Sequence, residues 1–329
     1  MKAMVLAAGL GTRLRPITHQ ISKPMIPVLD RPVMEHILDL LHRHGFDEVI
    51  ANLHWFPEAI REHFGDRIAY RCERELLGTA GGVRNVADFF DGQTFLVISG
   101  DALTDIDLSA LIETHRRTEG VATLAVKRVA DTREYGVVLH DRSGRITGFQ
   151  EKPEPDEALS DLGNCGIYVF EPEIFDYFPP RSFVDWAKDV FPALLDADVP
   201  FHIHEVREYW NDIGSLFELR RGTFDALEGA VALEMDVQEP TPGVLLARGS
   251  SLAESVEIEG GPIWIGRDVE LGVDAKLMGP VVLGDRVSVG ARCQLRSTIV
   301  LPGAEVADGS ILVDAIVGHV DIAERMKRR

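Results

Sequence analysis

The sequence predicts an α/β domain, a mostly parallel sheet with helices on both faces, followed by a parallel β-helix. Three features lead there. Through about residue 230 short apolar runs alternate with helical patterns, and after Pro240 and Pro242 aliphatic residues recur every six positions. The chain has 329 residues, 45% hydrophobic and 26% charged, the mix of a folded protein long enough for two or more domains.

The apolar runs of the N-terminal region are AMVLA (3–7), DEVIANL (47–53), TFLVISG (94–100), VATLAV (121–126) and CGIYVF (165–170). Between them lie helix candidates such as VMEHILDLLHRHG (33–45), in which Met34, Ile37, Leu38 and Leu41 keep helical spacing and Gly45 closes the pattern. Strands alternating with helices imply βαβ units. Such a sheet binds ligands beyond the carboxyl ends of its strands, so residues just after strands are site candidates.

In the C-terminal region a first register holds Ile265, Leu271, Leu277, Leu283, Val289, Leu295 and Leu301. Another, two residues earlier, holds Ile263, Val269, Ala275, Val281, Val287, Cys293 and Ile299. No helix has a period of six. It is the period of a parallel β-helix, whose coils bury their apolar residues only by stacking. Gly266, Gly272, Gly284 and Gly290 follow the first register, where a sharp corner tolerates little side chain. Past Leu301 the register slips, Val306 and Leu312 resuming one position early. The expected organisation is a first domain over 1–230, a linker over 231–242, and a coil domain with a C-terminal tail over 243–329.

Acidic residues outnumber basic ones by 53 to 34, a formal charge of −19, so the surface as a whole repels nucleic acid and anionic membranes. No segment reaches the ~18 apolar residues of a membrane span, and MKAMVLAAG lacks the regions of a signal peptide, so a cytoplasmic protein is expected. Cys72, Cys165 and Cys293 never form a CxxC pair and are expected to be reduced core residues.

The first strand ends in LAAGLGTRLRPIT (6–18). Gly9 and Gly11 let a ligand approach the backbone, whose amides after the strand form a cradle for phosphate. The dinucleotide fingerprint would need glycine at position 14, where Leu14 stands, and a P-loop would need glycine at 14 and lysine at 15. Neither fits. Arg13, Arg15 and Lys23 add cations beside the amides of an acidic chain, which points to polyphosphate; the alternative is a tight βα turn with solvated arginines.

Seven blocks in order, LAAGLGTRLRP, SKPMIPV, ERELLGTAGG (73–82), FLVISGD (95–101), YGVV with GFQEKP (135–153), GNCGIYVF (163–170) and YWNDIG (209–214), resemble the nucleotidyltransferases that join a nucleoside triphosphate to a sugar 1-phosphate. The resemblance spans essentially the whole chain and implies a Rossmann-like catalytic domain with a left-handed β-helix. It also implies attack by the sugar phosphate on the α-phosphorus with release of pyrophosphate, a reaction of positioning and charge neutralisation that needs no protein nucleophile.

By that resemblance, Arg13 stabilises the leaving pyrophosphate, Lys23 approaches the α-phosphate, and Asp101 with Asp212 holds Mg²⁺. Leu6, Ala7, Ala8, Gly9, Gly11 and Thr12 cradle the nucleotide, as do Glu75, Gly78, Thr79 and Gly100. Leu77 and Ala80 pack beside it, and Gly81 and Gly82 let a helix start close to the ligand. Gly136, Glu151, Lys152 and Asn164 take the sugar phosphate. GTP with mannose 1-phosphate is the expected pair, from LGTAGG and the short hexapeptide domain; thymidylyl, uridylyl or adenylyl transfer to glucose 1-phosphate is the alternative.

A non-catalytic regulatory subunit is the reading from another class, but members of that kind tend to lose the arginine or a metal aspartate, and all are present here. Acyl transfer in the coils would call for a histidine base, and residues 243–318 contain none. The coils are instead expected to mediate a homo-oligomer. Asp105 and Asp107 read as the approach and N-cap of LSALIETH. His36, His42, His44 and His54 read as solvated or capping, and the aromatic residues of EIFDYFPPRSF and DWAKDVFP as core packing.

Overall fold

A computed structural model describes residues 1–250 and 255–318. The chain divides into two compact units, one of Met1–Leu10, Ser22–Pro24 and Ile37–Asp212, the other of Gly11–Ile21, Met25–His36 and Ile213–Arg329. Among the described residues no helix is long and apolar enough to cross a membrane.

The first unit is built on a nine-stranded sheet. Its opening strand, Lys2–Ala7, lies between Val49–Leu53 and Phe95–Ser99, parallel to both, and Ala69–Cys72 continues the parallel edge. Val49–Leu53 is buried at every position, as a parallel strand covered on both faces must be. The sheet is mixed but mostly parallel, as expected: seven of its nine strands point one way, and two on the other flank, Leu162–Phe170 and Ile146–Glu151, are reversed. Leu162–Phe170 runs antiparallel to Phe95–Ser99, to Ala122–Arg128 and to Gly136–His140, and Gly136–His140 forms a hairpin with Ile146–Glu151. Ala122–Arg128 and Gly136–His140, both paired with Leu162–Phe170, point the same way as Phe95–Ser99, and His202–Glu205 pairs in parallel with Ala122–Arg128. The hairpin explains the reversal of Ile146–Glu151. Asp141–Arg145 closes it in a tight turn, with Gly144 at φ 85°, and so short a link cannot make the crossover that parallel strands require.

Stacked rings fill the core of this unit, Phe90 on Phe95 at 3.9 Å and Phe170 on Trp186 at 4.4 Å. Trp186 and Phe191 are buried there as expected, whereas Phe183 is exposed. Asp107 caps the helix Leu108–Thr118, its carboxylate accepting from Ala110 N at 3.0 Å, and Asp105 accepts from Tyr209 N. Cys165 is buried but Cys72, at the end of an edge strand, is exposed, against the core reading.

In the second unit the coils stack in parallel: Ile263–Ile265 pairs with Val281–Leu283, and Leu277 with Leu295, at offsets of eighteen residues. Ile263, Ala275, Leu277, Val281, Leu283, Val287, Cys293 and Leu295 are fully buried, and Val269 and Leu271 partly so. Gly266 and Gly272 are small because the next coil lies against them. A Cβ on Gly272 would stand 2.4 Å from Ala291 N. The left-handed corners themselves fall on Asp268, Asp274, Arg286 and Arg292.

The register slips earlier than the repeat suggests. Met278 pairs with Arg296 but Val281 with Thr298, because the link Gly279–Pro280 is answered by Ser297 alone, at φ 49°. Thr298 and Val300 therefore pair with Val281 and Leu283, where Ile299 and Leu301 were expected. The Thr298 hydroxyl donates to Arg296 O at 2.8 Å, which makes it tolerable in the core.

The expected linker is structured near its end, since Val237–Thr241 pairs antiparallel with Val244–Ala247. The helix Leu216–Leu227, capped by Ser215, is tied to the coils by Arg220, which donates to Asp314 at 2.7 Å and to Ser297 O. His36 bonds Val28 O and is buried, not solvated. The tail from residue 319 onward lies outside the described residues.

Candidate functional site

Asp101 leaves the end of Phe95–Ser99 through Gly100, whose N–H donates to Leu6 O at 2.9 Å. A Cβ at Gly100 would stand 2.7 Å from that oxygen, so only glycine lets the turn lie against the opening strand. Asp212 closes the strand Trp210–Asp212, which pairs antiparallel with Ala102–Thr104 and sets Asp212 opposite Ala102. Two acids far apart in sequence thus become neighbours. Lys23 joins them: its ammonium bonds Asp101 Oδ2 and lies 3.4 Å from Asp212 Oδ1. All three side chains are mostly covered, at 14% to 26% exposure, so these charges are weakly screened.

Two carboxylates and one ammonium leave a net negative charge and hard oxygen donors at a strand end. Among the described residues no group of three or more His, Cys, Asp or Glu gathers that could hold a metal. A pair of carboxylates is the donor set of Mg²⁺, which keeps waters and takes its remaining ligands from phosphate, not that of an all-protein cage. The residues fit that ion.

Around the opening loop, Leu6, Ala7, Ala8 and Gly9 belong to the first unit and Gly11, Thr12 and Arg13 to the second. Gly11 is left-handed at φ 60° and its carbonyl accepts from Leu14 N and from the Thr18 hydroxyl. The helical turn Thr12–Leu14 leaves Thr12 and Arg13 exposed.

The LGTAGG segment is held against Val184 and its neighbours. Gly78 is left-handed at φ 79° and a Cβ there would stand 2.4 Å from Val184 O, while the N–H groups of Ala80 and Gly81 donate to that same oxygen. A Cβ on Gly81 would press on Ser182 O, and one on Gly82 on Asn52 and Glu73. The Thr79 hydroxyl donates to Asp185 at 3.0 Å and accepts from Trp186 N. Gly81 and Gly82 are therefore required by packing against the protein as well. Glu75 is exposed, whereas Glu73 is buried.

On the antiparallel flank, Gly136 lies opposite Glu151, and a Cβ on Gly136 would come within 3.2 Å of Glu151 Oε2. Lys152 takes a left-handed backbone, φ 48°, with its N–H on Tyr135 O, and both Glu151 and Lys152 are exposed. Asn164 follows Gly163, which pairs with Val137, and begins a bulge running to Tyr168. Its amide donates to the Tyr168 hydroxyl at 3.0 Å and accepts from Gly166 N. Burial pushes the Tyr168 phenol and the Cys165 thiol well above their usual ranges, keeping both neutral.

The bulge connects this group to the acids. A Cβ on Gly166 would stand 2.7 Å from Ser99 Oγ, two residues before Asp101, and the Trp210 indole, two residues before Asp212, donates to Cys165 O at 3.1 Å. Gly136, Glu151 and Asn164 are thus gathered on adjoining strands, and Lys23, Asp101 and Asp212 in one cluster. Asn52, Glu73 and Val184 were missed from sequence. The signal available for Asn52 was a lone amide inside the apolar strand VIANL.

Residues 2–228 match the family model described as nucleotidyl transferase. A UTP–glucose-1-phosphate uridylyltransferase from Synechocystis sp. is 38% identical, over 96% of this chain and 87% of its own length. A mannose-1-phosphate guanylyltransferase from Mycobacterium tuberculosis is 35% identical, over 88% of this chain and 82% of its own. HddC from Yersinia pseudotuberculosis shares the fold, with a TM-score of 0.60 at 22% identity over 68% of this chain and 99% of that one.

Proposed function

The chain belongs to the nucleotidyl transferase family and is a sugar-1-phosphate nucleotidyltransferase, and from that premise we propose that it transfers a nucleoside monophosphate from GTP to mannose 1-phosphate, with Asp101, Asp212 and Lys23 at the centre of the site. The observation that supports this placement is the meeting of those three charges at the carboxyl end of the central strands. Mg²⁺ held by Asp101 and Asp212 would neutralise phosphate charge. Lys23, already among the acids, supplies a mobile cation for the α-phosphate, and Arg13 neutralises the departing pyrophosphate. The carbonyls and amides of Leu6–Thr12 and Gly78–Thr79 orient the nucleotide. Glu151, Lys152 and Asn164, gathered with Gly136, orient the sugar phosphate so that its oxygen attacks in line.

UTP with glucose 1-phosphate is the second reading, favoured by the likeness to the Synechocystis relative over nearly the whole chain. Pyrophosphate release from GTP, UTP, dTTP and ATP against mannose and glucose 1-phosphates separates the two. The guanylyl reading requires the highest kcat/KM for GTP with mannose 1-phosphate. Silence with every pair would sink the functional proposal as a whole.

The coils are proposed to be left-handed and to join copies of the chain; exposed Ile311 and Val313 on one strand support self-association. A monomeric mass at micromolar concentration contradicts it.

A further inference from the structure

We propose that Asn52 and Glu73 form a positioning pair that locks together the two backbone segments which take the nucleotide; the inference rests on the nucleotidyltransferase reading. Asn52 is 3% exposed and Glu73 6%, and each must find partners where water is absent. Their bonds make one continuous chain. Ala7 N, at the end of the opening strand, donates to Asn52 Oδ1 at 2.9 Å. Asn52 Nδ2 donates to Glu73 Oε1 at 2.7 Å, and Leu77 N, at the head of LGTAGG, donates to Glu73 Oε2 at 3.1 Å. The backbone of Glu73 is pinned as well, its N–H donating to Leu53 O at 2.7 Å.

The residue types follow from the direction of these bonds. Glu73 receives an N–H at each oxygen, and a carboxylate is the side chain of that length that accepts at both. A glutamine would turn an NH₂ toward either the Asn52 amide or Leu77 N, donor against donor. Gly82 completes the arrangement, since a Cβ there would stand 2.7 Å from Asn52 Nδ2 and 2.8 Å from Glu73 Oε1. One end of the chain holds the strand leading into the phosphate loop and the other holds the segment proposed to pack on the base. No link touches Gly136–His140 or Ile146–Glu151, where the sugar phosphate is proposed to bind. A fault in the pair therefore displaces the nucleotide and leaves the sugar side in place.

The test is a polarity swap. In Glu73→Gln and in Asn52→Asp one link is broken or must borrow a proton. In the double variant the new carboxylate at 52 accepts from Ala7 N and from the new amide at 73, whose oxygen accepts from Leu77 N, so every bond returns with the middle one reversed. Steady-state kinetics use the nucleotide and sugar phosphate on which the wild type is fastest. Each single variant is expected to raise the nucleotide KM about tenfold or more, as misplacement of a binding element does, with the sugar phosphate KM within about twofold, and the double variant to recover most of the loss.

Gly82→Ala, which presses on both side chains, is expected to raise the same KM and serves if a single variant does not fold. Equal rises in both KM values, unchanged KM values, or a double variant no better than the worse single one overturn the pair as a positioning device. A wild type silent with every substrate overturns the functional reading beneath it.

Discussion

The sheet of the first unit and the coils of the second both bury aliphatic residues completely, yet they differ in what else they bury. Inside the first unit lie Asn52, Glu73, His115, Thr123 and His202, each polar and each at or below 9% exposure. Among the described coil residues, 255–318, the buried polar side chain is Thr298. A coil needs only that the next coil cover it, so any aliphatic residue in register serves. A site needs particular atoms at particular points, and the backbone that carries them must be held by directional bonds. Polar burial in the sheet marks where that holding is done.

The largest expected effect separates chemistry from scaffold. Asp101→Asn and Asp212→Asn each keep the side-chain volume and remove a charge from the cluster around Lys23. Turnover, followed by pyrophosphate release, is expected to fall on the order of 10³-fold, while the thermal midpoint stays within a few degrees. A variant that keeps a tenth of wild-type turnover would remove that aspartate from the machinery. The reverse pattern is expected in the coils. Leu277 is fully buried, stacked in register with Leu295 and Ile258. Leu277→Ala is expected to cost about 2–5 kcal/mol of stability in denaturant unfolding and to leave both KM values unchanged. A stability loss below about 1 kcal/mol would mean that the coil collapses around the cavity and is less tightly stacked than its burial implies.

The same difference governs how much was legible in advance. Fourteen positions repeating at six residues announce a coil because each repeat restates the same packing problem. Even there the slip at Ser297 escaped, since the repeat registers spacing along the chain and not how many residues a corner uses. Within the site, Asp101 and Asp212 could be paired through the resemblance of FLVISGD and YWNDIG to the family's blocks, since a Gly-Asp after a strand is by itself more often just a turn. Glu73 could not. Glu75 stands two residues away with the same side chain, and nothing in ERELLGTAGG says which of them turns inward. The packing of that segment's glycines was hidden as well, because Asn52, Ser182 and Val184, which lie against them, are distant in sequence. The antiparallel flank was hidden for a similar reason: CGIYVF reads as a buried strand of either direction, and only pairing decides.

The smallest effect is a pH dependence that should belong to one unit's interior and not to the coils. Burial lowers the pKa of His115 despite the opposing pull of Glu171, 3.0 Å from its Nε2, and Arg116 adds to the lowering. Burial lowers His202 and His204 as well, with Arg145 nearby adding to the effect at His202. A histidine whose pKa is lower folded than unfolded binds its proton more readily when unfolded. Its contribution is therefore complete above the unfolded value of about 6.5 and is lost as pH falls through that value toward the folded one, with a slope of at most about 1.4 kcal/mol per pH unit for one proton. The coils from 243 to 318 contain no histidine, so acidification from pH 7.5 to 5.5 is expected to lower the stability of the sheet unit and to leave coil unfolding flat across that window. His115→Gln, which retains a hydrogen-bonding side chain toward Thr123 or Glu171 but cannot titrate, should reduce the slope. Denaturant midpoints at four pH values, read by amide exchange in peptides from each unit, decide it; an equal slope in both units would mean that the buried histidines are not its source.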